Sequence, residues 1–184
     1  MVRTEVFSAC LAVSALWWGG YGDVWWRLGS GGRRCVALIA FLVGVSGWVP
    51  SPHAIAIGNV LVSGGSLGIA LSRGRWHWGG WLVLSAAGLL RISGAWPGKD
   101  FWFLAALLGL VGAILSADPP IALALAASSQ VVAGCLGLAW HGMESLALNR
   151  SQLAMSAASG LCAWGASVVL AGARRARSRH RRRI

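Results

Sequence analysis

Seven long apolar stretches divide the chain, at 6–21, 35–49, 54–71, 78–90, 101–117, 121–140 and 153–173, each closed by Arg, Trp, Pro, Gly or Asp. A soluble helix carries an apolar stripe at a 3.6-residue period and a half-buried strand alternates, whereas these blocks are apolar on every side. A helix needs about 20 apolar residues, with a range of about 17–25, to cross a hydrocarbon core. The pattern therefore predicts an all-α fold, a multi-pass transmembrane bundle of about seven helices (six to eight) with short connections. Block 78–90 is the shortest and ends at Arg91, so a re-entrant or surface-lying segment is the alternative there. A transporter would be expected to show internal repeats or broken helices, and Gly64–Gly65 is the best candidate for such a break.

Composition leaves no room for a soluble domain. Hydrophobic residues make up 57% of the 184 and charged residues 11%, with a mean hydropathy of +0.66, where an ordinary soluble domain is about 25% charged. The few charges sit between blocks. With seven spans and a cytoplasmic C-terminus, Arg27, Arg33, Arg34, Arg73, Arg75 and seven arginines of the tail share the inner side, twelve in all. Arg3, Arg91, Lys99 and Arg150 fall outside. Retained loops carry the Lys/Arg excess, so the N-terminus is expected outside and the C-terminus inside. Residues 9–16 run into Trp17, Trp18 and Tyr21 in place of small cleavage-site residues, which argues for a retained first span and against a signal peptide.

Residues 1–173 thus form the bundle and 174–184 a basic tail. Arg174, Arg175, Arg177, Arg179, Arg181, Arg182 and Arg183 repel one another and cannot bury apolar surface, so the tail is expected to be disordered and to contact anionic lipid headgroups. The net charge of +11 is mostly this topological signal, and nucleic acid is not the expected partner.

Of twelve tryptophans only Trp164 falls deep inside a block. Trp17, Trp18, Trp25, Trp26, Trp48, Trp76, Trp78, Trp96, Trp102 and Trp140 lie near block ends, where an amphipathic indole favours the headgroup level. Small residues recur every four positions: Gly64, Gly68 and Ser72; Ala105, Gly109, Ala113 and Ala117; Ser129, Ala133 and Gly137; Ser159, Ala163, Ser167 and Ala171. Such stripes let helices approach closely in lipid. They also offer faces for a membrane-protein partner or a homo-oligomer. Cys10, Cys35, Cys135 and Cys162 lie one to a block and read as small core residues.

Candidate chemistry is sparse. Asn59 and Gln130 are the amides at depth, where a polar group is costly and so is a candidate for function; they read as interhelical hydrogen-bonding residues, or as groups facing one another across a cavity. Asp118, His141, Glu144, Arg150 and Asp100 lie near interfaces, and one His/Glu pair falls short of the three or four ligands of a zinc site. Ser159–Gly160 has no buried histidine base opposite it. Gly29, Gly31 and Gly32 lack the P-loop pattern. No catalytic residue, metal or cofactor is expected.

The Leu16-Trp17-Trp18 block leading through Arg27 and Arg33 into an aliphatic helix, together with the Ser/Ala-rich last helix bearing Trp164 before a basic tail, resembles the YphA-type proteins. These are uncharacterised multi-pass membrane proteins of Gram-positive spore-forming bacteria, and the resemblance implies a bacterial cell membrane. Two functional readings follow: a non-enzymatic scaffold or binding protein, and a small-solute or lipid permease with Asn59 and Gln130 lining the path.

Overall fold

The computed structural model describes residues 4–20, 30–49, 51–73, 76–93, 100–116, 118–141 and 150–181. These form seven helices in chain order: α1 (Thr4–Trp18), α2 (Ser30–Trp48), α3 (Pro52–Arg73), α4 (Trp78–Ile92), α5 (Phe101–Leu115), α6 (Pro119–His141) and α7 (Arg150–Arg181). No strand occurs among the described residues. Three helices are long and apolar enough to cross a membrane, over Pro52–Ser72, Pro119–Gly137 and Arg150–Arg174. The other four carry shorter apolar stretches, Thr4–Trp18, Arg34–Trp48, Trp78–Ile92 and Phe101–Leu115. A 15-residue helix rises only about 22 Å, short of a hydrocarbon core of about 30 Å.

Local chemistry sets the boundaries. Gly20, at φ 92°, takes the left-handed conformation two residues after α1 and bonds back to the Trp17 carbonyl, a conformation that glycine adopts without a Cβ penalty. Pro52 and Pro119 open α3 and α6, because a first-turn position needs no donated N–H and the ring pre-sets φ. Asp100 caps α5, its carboxylate accepting from the Trp102 and Phe103 amides at 2.9 and 3.4 Å. Asp118 lies between α5 and α6, and its carbonyl accepts from Ala122 at 2.9 Å. α3 runs unbroken through Gly64 and Gly65, the place where a transporter-like break would have fallen.

Sequential neighbours lie antiparallel. Ser14 of α1 donates to the Ala37 carbonyl of α2 at 2.7 Å, while the Phe7 ring covers Gly47 further along. In the same sense Gly134 of α6 meets Gln152 of α7, and Ala127 meets Gly160. α6 is the hub, packed against α3, α4, α5 and α7. Ile121, Ala122, Ala124, Leu125 and Ala126 are all buried, as expected for a helix that is apolar all round.

The small-residue stripes divide. Ala105, Gly109 and Ala113 are buried against α7, and Ser129, Ala133, Ser159, Ala163 and Ser167 are buried as well. A Cβ on Gly109 would stand 2.5 Å from the Cys162 Cβ and 2.7 Å from the Ala163 nitrogen, so only glycine permits this spacing. Gly64, Gly68 and Ser72 instead face outward, with nothing within 4 Å of a Cβ built on either glycine. Val62, Ser66 and Ile69 occupy the buried face of α3, which turns the glycines away.

Other expectations are corrected too. Trp18, Trp48, Trp78 and Trp102 are exposed at helix ends, but Trp17 is buried with Ala37 and meets Trp164 edge-on at 5.4 Å. Trp25, Trp26 and Trp96 lie outside the described residues. Cys10 is buried, whereas Cys35 and Cys135 are exposed on outer helix faces and Cys162 is half-buried. α7 continues to Arg181, in place of the tail expected to lack structure from Arg174. Nucleation is the costly step of helix formation, and Ala and Arg are good helix formers, so an established α7 propagates easily into 174–181.

Candidate functional site

Gln130, Gln152 and Arg91 form one chain of hydrogen bonds. Gln130, on the face of α6 toward α4, is fully buried, and its Nε2 donates to the Leu84 carbonyl at 3.2 Å and to Ser129 Oγ at 3.5 Å. The amide fits there because residue 88 is glycine: a Cβ on it would lie 2.9 Å from Gln130 Oε1 and 3.1 Å from Nε2. One turn along α6, Gly134 makes the matching space for Gln152 of α7, with a Cβ position 3.0 Å from its Cγ. Gln152 Nε2 donates to the Gln130 carbonyl, and Gln152 Oε1 accepts from Arg91 Nη2. The chain therefore joins α4, α6 and α7. Gln130 Oε1 and Arg91 Nε are buried without a hydrogen-bond partner.

Asn59 takes no part in it. Its Nδ2 donates back to the Ile55 carbonyl of its own helix at 3.0 Å, and its Oδ1 is buried without a partner. Asn59 and Gln130 thus find separate partners, and neither lines the two clefts described below.

Sequence reasoning missed Arg91 and Gln152 for one reason. Both stand at the edges of apolar blocks, where Arg91 reads as a connection charge and Gln152 precedes the last block. The helices extend beyond those blocks, to Ile92 and back to Arg150, and this brings the two residues inside the bundle. Arg91 is thereby a helix residue, not a loop charge.

A second feature is a lateral cleft. α3 and α4 both lean on α6, yet among the described residues they do not pack against each other. The gap is about 560 Å³ and is lined by Leu67, Leu71, Trp76, Trp78 and Trp81, with Ser128 of α6 in its wall. Trp76, Trp78 and Trp81 stack edge to face, at 6.3 and 5.8 Å between successive rings. Trp81 Nε1 donates to Ser128 Oγ at 3.0 Å, and that hydroxyl donates on to the Ala124 carbonyl at 2.6 Å. A comparable gap of about 510 Å³ runs between α2 and α3 beside Gly64 and Gly68. The sequence signal for the first cleft is the close grouping of three tryptophans after Arg73 and Arg75.

The remaining candidates are dispersed. Ser159 Oγ is buried and shares its one proton between the Ala126 and Ser156 carbonyls, each at 3.2 Å, so it is occupied in packing. The Arg150 guanidinium donates to the Gly47 carbonyl and lies 5.8 Å from the centre of the Phe7 ring, tying α7 to α2 and α1. His141 ends α6, and Glu144 lies outside the described residues. Among the described residues no three His, Cys, Asp or Glu side chains group as metal ligands. Of the tail arginines, Arg174 is exposed, while Arg182 and Arg183 lie outside the described residues.

No protein-family model matches the chain, and no curated protein or solved structure matches it either.

Proposed function

We propose that the chain is a seven-span protein of the bacterial cell membrane, with its N-terminus outside and its C-terminus cytoplasmic, that acts without catalysis by binding other components of the bilayer. One observation carries this reading. The polar groups Gln130, Gln152 and Asn59 turn onto helix backbone within the bundle, while large apolar side chains such as Val60, Leu67, Leu71 and Val83 stand 60–75% exposed on α3 and α4. Apolar surface of that extent is compatible with lipid or a membrane partner and not with water. The bacterial assignment rests on the resemblance to YphA-type proteins.

Native mass spectrometry of the protein released from mild detergent tests the reading. The expected result is the 19.2 kDa chain carrying retained lipid or a membrane-protein partner. A bare monomer at every detergent level, combined with solute flux in proteoliposomes, would overturn it in favour of a permease.

A further inference from the structure

We propose that the cleft between α3 and α4 holds an acyl chain of an anionic phospholipid, with the lipid phosphate at the amino-terminal turn of α4. The inference rests on the membrane reading above and gives the bound component a chemical class. The slot is apolar, bordered by Leu67, Leu71 and the three tryptophans, and at about 560 Å³ it falls within the range of about 300–1,000 Å³ typical of ligand clefts. The hydrogen bond from Trp81 to Ser128 fixes the indole against α6, so the wall is held in place by more than packing.

The polar end of the slot is suited to a negative charge. α4 begins at Trp78, the side chain of its N-cap residue His77 makes no capping hydrogen bond to the helix, and the first bond closing the helix runs from the Trp81 amide to the His77 carbonyl. The first N–H groups of a helix lack intrahelical acceptors, and with the helix dipole they favour an anion. Gly79 is exposed, and a side chain there would meet nothing within 4 Å, so a headgroup can reach the backbone. The same end of the bundle carries Arg34 near the start of α2, Arg73 at the end of α3 and Arg174 on α7, with Arg34 and Arg174 exposed. On the seven-span arrangement proposed above, twelve of the sixteen basic residues would fall on that side of the membrane. Tryptophans at headgroup level complete the match.

The test is native mass spectrometry of the full chain in micelles containing equal amounts of phosphatidylglycerol and phosphatidylcholine. One retained phosphatidylglycerol is expected, preferred by about fivefold or more, which corresponds to about 1 kcal/mol. His77→Asp places a carboxylate at the cap, a change that supports helix formation and repels phosphate, so the preference should fall to about one with thermal stability kept. Ala70→Phe fills the slot, since Ala70 lines it, and should reduce retention of both lipids. Leu82→Phe, on an exposed position of α4 outside the lining, should leave retention unchanged. Should Ala70→Phe fail to fold, the His77→Asp ratio decides alone. Equal retention of the two lipids by the unaltered chain, or a preference that survives His77→Asp, would overturn the proposal. So would a dimer that replaces the lipid and is lost in Ala70→Phe, which would assign the slot to a second copy. Lipid retained without these dependences would sink the cleft proposal and spare the binding function; a bare monomer would sink the cleft proposal, and together with solute flux in proteoliposomes the binding function as well.

Discussion

Arg91, in the last turn of α4, donates to the side chain of Gln152, in the first turn of α7. Through the second hydrogen bond of Gln152, to the Gln130 carbonyl, a guanidinium at one helix end is connected to the most buried helix of the bundle. Removing one partner leaves a donor or acceptor without a mate, which costs about 1–3 kcal/mol, whereas interhelical hydrogen bonds within membranes average only about 0.6. The charge on Arg91 places this pair above that average.

Gln152→Leu is therefore expected to lower stability in detergent by about 1–2 kcal/mol. Arg91→Met alone should cost a similar amount. The double variant should cost clearly less than the two single losses together, because neither group is then left unpaired. Thermal unfolding of all four proteins reads the coupling. Strict additivity would mean that the two residues do not interact.

Gly109 and Gly64 share a sequence spacing and differ in surroundings, so the same substitution should act oppositely. Gly109→Ala forces a methyl group against Cys162 and Ala163 and should destabilise by about 1–3 kcal/mol; Gly109→Leu should prevent stable packing of α5 on α7. Gly64→Ala meets open space and should be neutral or gain up to about 1 kcal/mol from helix propensity. Aggregation temperatures in detergent check both, and equal shifts would mean the buried stripe is incidental.

This pair also shows what the sequence reveals and what it withholds. Helix existence follows from apolar run length and is legible throughout: α4 and α5 start where the 78–90 and 101–117 blocks do, α1, α3 and α6 differ from their blocks by at most about three residues at either end, while α2 starts five residues early and α7 runs eight residues past its block. Which face of a helix turns inward depends on its neighbours, and nothing in the spacing of Gly64, Gly68 and Ser72 separates it from that of Ala105, Gly109 and Ala113. Trp17 is at a block end yet buried, because α2 and Trp164 close over it. Gln130 is legible as a polar group at depth, but its partner Gln152 is hidden by standing one residue outside an apolar block. The grouped tryptophans mark the cleft lining in the sequence, but that α3 and α4 fail to meet beside them is a tertiary fact with no local signature.

The cysteines report the same inside–outside pattern without perturbing it. Cys35 and Cys135 are exposed and Cys10 is buried, so a small membrane-permeant maleimide should label the first two in the folded protein in detergent. Cys10 should react only after denaturation. Mass spectrometry of the digested protein locates the adducts, and rapid labelling of Cys10 under native conditions would contradict the packing of α1 on α2.

The final prediction joins the tail to the orientation proposed for the bundle. α7 projects past the apolar stretch into the run Arg174–Arg181, so its arginines sit within reach of one membrane surface, where each basic residue gains about 1 kcal/mol from anionic lipid and the attraction falls off over a Debye length. With Arg182 and Arg183, which follow that run in the sequence, the seven arginines of the tail also supply most of the Lys/Arg asymmetry. Replacing all seven by glutamine, which keeps a similar helix propensity, leaves five basic residues on the proposed inner side against four on the outer. Orientation follows that bias, so reporter fusions at both ends should give an outside N-terminus and an inside C-terminus in the unaltered chain, and a mixture of orientations in the glutamine variant. In detergent extracts, association of the variant with anionic vesicles should be weaker and less sensitive to salt than that of the unaltered protein. Finding both termini of the unaltered chain in the cytoplasm would overturn the seven-span arrangement and single out 78–90 or 6–21 as the segment that does not cross. An unaltered orientation in the glutamine variant would show instead that Arg27, Arg33, Arg34, Arg73 and Arg75 suffice to hold the bundle in place.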